Sequence, residues 1–198
     1  GEVRASDISV DDHLRASFLL ESPWGRTEVR LGAPGEHMVD NALAAAAVGL
    51  VLDVPLGEVA GGLSEASLSP GRMQVSTNQA GVVVVNDAYN ANPTSVMAAL
   101  RALSSLPAGG RRLAVLGLMA ELGGESSDAH LQVVAVAREL GIEVLTVGTD
   151  LYGVEPLGGV GEALDVIAGL NLGQGDSVLV KGSLVAGLQQ LAEKLAAT

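Results

Sequence analysis

From residue 74 onward the sequence alternates short apolar runs with stretches of helical period, and this alternation restricts the fold more than any other feature. Val82–Val85, Leu113–Leu116 and Ser177–Val180 are continuous apolar runs, the pattern of strands covered on both faces. Helices are predicted over Thr94–Leu106, Ser127–Leu140, Glu162–Leu170 and Leu184–Leu195, with a further strand at Glu143–Val147. Val96, Leu100 and Leu103 share one helical face, as do Leu184, Leu188, Leu191 and Leu195. Gln74–Thr77 and Gly81–Val85 can pair as a hairpin over Asn78-Gln79-Ala80. Strands and helices in this order predict an α/β fold with a doubly wound, mostly parallel sheet. Ligands of such sheets bind beyond the carboxyl ends of the strands.

The first third reads differently. Ser17–Leu20 and Thr27–Leu31 look like strands joined by the turn Ser22-Pro23-Trp24-Gly25. An Ala-rich helix over Met38–Leu52 stops at Asp53-Val54-Pro55, and a second helix covers Leu56–Ala66. Two strands and two helices are too few for a self-sufficient core. Residues 1–70 are therefore expected to be part of a larger domain, with a boundary at Ser69-Pro70-Gly71 and a second domain over 71–198.

Composition narrows the function. Aromatic residues make up 2% of the chain, too few for a platform that stacks single-stranded nucleic acid. A net charge of −12 opposes nonspecific binding to a phosphate backbone. Without cysteine there are no disulfides or thiolate metal sites, which fits a reducing compartment. The apolar stretch Ala42–Leu52 is shorter than the roughly 20 residues that cross a bilayer, and Gly1–Val10 has no apolar signal segment. A cytoplasmic protein, monomeric and neither inserted in membranes nor bound to nucleic acid, is expected.

Chemistry concentrates after the first buried strand, in Asn86–Ser95. Asn92-Pro93 makes a good helix start, with Asn92 as cap and Pro93 in the first helical position. Turn chemistry does not call for Asp87 and Tyr89 there. An aspartate at a strand end can bond ribose hydroxyls, and a tyrosine beside it can cover a base or bond a phosphate. His37 stands without a second histidine at ligand spacing, so a role at the helix start or in packing is expected, and His13 and His130 read as surface residues.

Several short segments, in fixed order, resemble the Mur ligases, the ATP-dependent amide ligases of peptidoglycan synthesis. They are Gly35-Glu36-His37-Met38-Val39-Asp40-Asn41-Ala42, Gly71-Arg72-Met73, Asp87-Ala88-Tyr89-Asn90-Ala91-Asn92-Pro93, Val115–Gly123 and Lys181-Gly182-Ser183. The resemblance covers about Gly35–Leu195. It implies a C-terminal Rossmann-like domain preceded by the tail of a central ATPase domain. On the ATP side it implies Asn41 at the adenine, Arg72 at the phosphates, Asp87 at the ribose and Tyr89 beside the nucleotide. On the acceptor side it implies Asn90, Asn92, Ser95, Lys181 and Ser183. By composition alone Asn41 is an ordinary helix-turn residue, and Arg72 and Lys181 are solvated cations. Leu118 departs from the family, which usually carries aspartate there.

The phosphate-binding loop, G-x-x-x-x-G-K-S/T, is nowhere in these 198 residues. No catalytic residue is assigned within them, and the Mg2+ ligands are expected upstream. The resemblance implies ligation of D-Ala-D-Ala to UDP-MurNAc-tripeptide through an acyl phosphate, with ATP and Mg2+ as cofactors. The isolated chain is expected to be inactive. The run Tyr89–Pro93 favours this member over other Mur ligases and folylpolyglutamate synthase. A noncatalytic nucleotide-binding module is the alternative of a different class.

Overall fold

The computed structural model describes residues 2–107, 109–120, 122 and 126–198, which fall into two compact units, Gly1–Leu68 and Ser69–Thr198. The first unit is an antiparallel sheet of order β1-β2-β3, formed by Arg4–Val10, Arg15–Ser22 and Gly25–Pro34. Helices α1 (Met38–Val51) and α2 (Leu56–Glu65) accompany it. Ala16, Phe18 and Leu20 of β2, with Val29 and Leu31 of β3, alternate inward and meet Val39, Ala42 and Ala46 of α1.

Strand β1 corrects the expectation of two strands. Its period-2 pattern is broken by a bulge between Ser6 and Ser9, where Asp7 adopts a left-handed backbone (φ 54°). That break hides the strand from a reading based on alternation.

The second unit is a six-stranded sheet of order β4-β5-β9-β6-β7-β8. Its strands are β4 (Gln74–Thr77), β5 (Val83–Asp87), β6 (Arg112–Leu116), β7 (Glu143–Val147), β8 (Pro156–Leu157) and β9 (Ser177–Lys181). Only the edge strand β4 runs antiparallel to its neighbour. Helices α3 (Pro93–Ser105) and α4 (Ser126–Glu139) pack against each other, as do α5 (Val160–Gly169) and α6 (Gln189–Ala197). The α5/α6 face buries Val82, Val84, Val115, Val178 and Val180 against Leu188, Leu191 and Leu195. The doubly wound, mostly parallel sheet read from the sequence is therefore present, with the short β8 added at its edge.

The last helix is a second correction. Leu184–Ala186 form a separate helical turn, and Gly187 (φ 67°) breaks the chain direction before α6 begins at Gln189. Leu184 consequently faces solvent, while Leu188, Leu191 and Leu195 carry the buried stripe. Among the described residues no helix is long and apolar enough to cross a membrane.

Candidate functional site

The carboxyl ends of β5, β9 and β6 lie side by side, with Asp87 in register with Lys181 and Lys181 with Leu116. Lys181 is 2% exposed. Its ammonium donates to Asp87 Oδ2 at 2.5 Å and to the Asn90 carbonyl at 2.9 Å. A solvated strand-end lysine is thereby ruled out. An ammonium in the sheet interior is tolerable only when paired and hydrogen-bonded, and Asp87 supplies the pairing. The other carboxylate oxygen, Oδ1, accepts the Met73 N–H at 3.0 Å.

That second bond anchors the turn Gly71-Arg72-Met73. Gly71 accepts the Tyr89 N–H at 3.1 Å, and Met73 is buried with a left-handed backbone (φ 45°). A non-glycine residue in this conformation costs about 1–3 kcal/mol, opposed here by burial and by the bond to Asp87. With both neighbours tied down, Arg72 lies over the Tyr89 ring, its guanidinium carbon 4.2 Å from the centroid. Both side chains are exposed, so a cation and an aromatic face are presented together to solvent.

Beyond Tyr89 the loop enters α3. Asn92 Oδ1 accepts the Ser95 N–H at 2.9 Å, and Ser95 Oγ accepts the Asn92 N–H at 3.1 Å. This reciprocal capping box satisfies two helix-start donors, so the capping role expected of Asn92 is present and Ser95 is its partner. The Asn90 side chain is exposed, and its Oδ1 accepts the Ala91 N–H.

Lys181 leads into Gly182-Ser183. Ser183 is buried; its Oγ accepts the Ala120 N–H at 2.9 Å and donates toward the Ala91 carbonyl at 3.4 Å. Backbone bonds from Gly117 N to Lys181 O and from Ser183 N to Leu118 O join the loops after β6 and β9. Gly117 and Gly182 allow this approach. A Cβ on Gly117 would sit 2.7 Å from Ala186 Cβ, and one on Gly182 would lie 3.2 Å from Gly117 Cα. Glu121 and Gly123 of the same segment lie outside the described residues.

His130 reverses the expectation of a surface residue: it is wholly buried. It shares the inward face of α4 with Val133, Val134 and Ala137, and that helical spacing is the sequence signal that could have revealed it. His13 is exposed, and His37 stands immediately before α1.

Asp87, Tyr89, Asn90, Asn92, Ser95, Lys181 and Ser183, with Arg72, thus occupy the β5, β9 and α3 ends of one unit. Asn41 belongs to the first unit, exposed on α1, with its amide donating to Met38 Sδ at 3.4 Å. Among the described residues no group of three His, Asp or Glu could hold a metal ion. A cavity of about 470 Å3, lined largely by apolar residues such as Val82, Leu164, Ile167 and Val178, opens near the amino ends of β5 and β9. Asn78, Asp165, Asn171 and Thr198 also line it, but it lies away from the carboxyl ends of the strands, where ligands of such sheets bind.

Residues 71–184 match the family model described as Mur ligase, glutamate ligase domain. The UDP-N-acetylmuramoyl-tripeptide–D-alanyl-D-alanine ligase of Escherichia coli (strain K12) is 37% identical over 203 residues, covering 96% of this chain and 44% of the relative. A crystal structure of MurF from Acinetobacter baumannii aligns with a TM-score of 0.87 at 34% identity, covering 99% of this chain and 45% of that one. MurF ligase from Thermotoga maritima, solved in complex with ADP, aligns with a TM-score of 0.80 at 23% identity over 99% of this chain and 48% of that one, a likeness of fold. The chain spans a little under half the length of these relatives.

Proposed function

The chain belongs to the Mur ligase family, and from that premise we propose that it contributes the acceptor side and part of the ATP side of a ligase joining D-Ala-D-Ala to UDP-MurNAc-tripeptide. The observation that carries this reading is the carboxyl edge, where Arg72, Asp87, Tyr89, Asn90 and Ser183 are set on elements braced by the Lys181–Asp87 pair. The curated relative from Escherichia coli carries that substrate pair in its name, and the Thermotoga maritima neighbour was solved with ADP. Both support the assignment.

In this reading Arg72 is the cation for ATP phosphates, pre-oriented by the Tyr89 ring, and Tyr89 borders the nucleotide. Asp87 has one partner on each oxygen, which leaves acceptor capacity for ribose hydroxyls. Asn41 supplies an amide for adenine. The acceptor dipeptide meets Asn90, Asn92, Ser95 and Ser183, with Lys181 holding the frame. ATP supplies the phosphoryl group that activates the tripeptide carboxylate as an acyl phosphate, which the dipeptide amine then displaces. The residues of this chain contribute mainly by positioning.

Residues 1–70 are proposed as the end of a central ATP-binding domain and 71–198 as the C-terminal ligase domain. The phosphate loop and the Mg2+ ligands would lie outside these 198 residues, in a protein of the cytoplasm.

The test joins the chain to the reading frame upstream of Gly1 and follows ADP release. Release that requires both UDP-MurNAc-tripeptide and D-Ala-D-Ala supports the proposal. Release with a single amino acid in place of the dipeptide assigns a different member of the family. ATP binding without any release leaves the noncatalytic module. The 198-residue chain alone is expected to release no ADP.

A further inference from the structure

We propose that His130 is a positioning residue for the acceptor side, acting on Ser183 through two consecutive backbone amides. The inference rests on the ligase reading, which gives Ser183 its role.

The ring of His130 is fully enclosed, and both nitrogens are engaged. Nε2 receives the Met119 N–H at 3.1 Å. A backbone N–H can only donate, so Nε2 carries no proton and the neutral ring holds its proton on Nδ1. Nδ1–H donates to the Ser126 carbonyl at 2.5 Å, one turn back on α4. The tautomer is therefore dictated by the partners on both sides.

Tyr152 completes the clasp. Its ring meets His130 edge-on, with centroids 4.5 Å apart and planes at 74°, a favourable aromatic geometry. Its hydroxyl donates to the Gly117 carbonyl at 2.9 Å. Gly117 and Met119 are thus gripped from α4 and from the segment after β7. The next amide, Ala120 N–H, is the one that fixes Ser183 Oγ. An apolar side chain could fill the volume of His130. It would leave the Met119 N–H without an acceptor in a buried site, and the loop would shift to find one. Ser183 would lose its orientation with that shift.

Two experiments test this. On the 198-residue chain, long-range 1H–15N spectra should show His130 as the neutral Nδ1–H tautomer at pH 7, with the Met119 amide protected from exchange. An Nε2–H tautomer, or a Met119 amide exchanging as fast as an exposed one, overturns the proposal. In the full-length protein, His130→Leu should raise the dipeptide KM about tenfold or more and leave the ATP KM within about twofold. His130→Gln, whose amide oxygen can take the place of Nε2, should restore the dipeptide KM to within about threefold of wild type. An unchanged dipeptide KM in His130→Leu, equal changes in both KM values, or a Gln variant as impaired as Leu overturns it. If His130→Leu does not fold, Tyr152→Phe must show the same split between the two KM values. If the unsubstituted protein turns over nothing, the ligase reading fails, and the tautomer and exchange measurements alone decide whether His130 holds this loop.

Discussion

Asp87 and Lys181 face each other across the β5–β9 ladder and close a buried ion pair at the carboxyl edge of the sheet. The same ammonium holds the Asn90 carbonyl, and the same carboxylate holds the Met73 amide. One pair therefore braces both the turn that carries Arg72 and the loop that carries Tyr89. Removing one partner leaves the other charge buried and uncompensated. Lys181→Met should destabilise the second unit by about 3–5 kcal/mol. The double substitution Asp87→Asn with Lys181→Met should recover about half or more of that loss, because the two residues share one interaction. Urea denaturation of the single and double variants reads this directly, and additive losses would contradict it.

The capping box at Asn92 and Ser95 predicts a different signature. Asn92→Ala should cost about 1 kcal/mol in thermal or chemical melting, and Asn92→Ser, which can still cap, should lose only a few tenths. A rise in dipeptide KM for Asn92→Ser, with the cap retained, would identify a substrate contact beyond capping. Unchanged kinetics would confine Asn92 to the helix start.

Arg72 and Tyr89 are exposed, so their stacking contributes only about 0.5–1 kcal/mol. Arg72→Ala should melt within about that margin of wild type. In the full-length protein it should raise the ATP KM by about tenfold, because a charge-assisted phosphate contact is worth roughly 1.5–3 kcal/mol. Tyr89→Ala should weaken ATP use less. An unchanged ATP KM in Arg72→Ala would remove that residue from the nucleotide side.

At the opposite end of the sheet, Asp176 accepts from the Gly173 N–H at 2.8 Å and the Arg111 N–H at 2.6 Å. Those two backbone bonds hold its carboxyl below the ordinary value, and the Arg111 guanidinium does the same for Glu143. A lowered folded-state value means that the folded form favours the carboxylate. The resulting stability is complete above the ordinary carboxylate range, near pH 4, and is lost as pH falls through the lowered value. Asp176→Asn should lower the melting temperature at pH 7 by a few degrees, about 1 kcal/mol. The gap should close as pH falls through the lowered value and Asp176 is itself protonated. A gap that stayed constant with pH would mean that charge plays no part.

Much of the second unit was legible in the sequence because its signals are local or periodic. The apolar runs ending at Val85, Leu116 and Val180 each became a parallel strand. Asn92-Pro93 started a helix in the way the two residue types require. The errors have local causes as well. The bulge at Asp7 broke the alternation of β1, and the left-handed Gly187 cut a continuous leucine pattern into a turn and a helix. His130 was misplaced because residue type outweighed its spacing to Val133 and Val134.

What the sequence determined by itself was the order of the main strands and helices of the second unit and the loops that would end up at the carboxyl edge. Burial patterns repeat along a strand or helix, and near neighbours write them. Only the tertiary structure decided the protonated nitrogen of His130 and the partner of Lys181. Lys181 lies 94 residues from Asp87, and nothing in either segment names the other. The two meet because β9 inserts between β5 and β6, and once they are enclosed there the ion pair is what makes the burial of either charge tolerable.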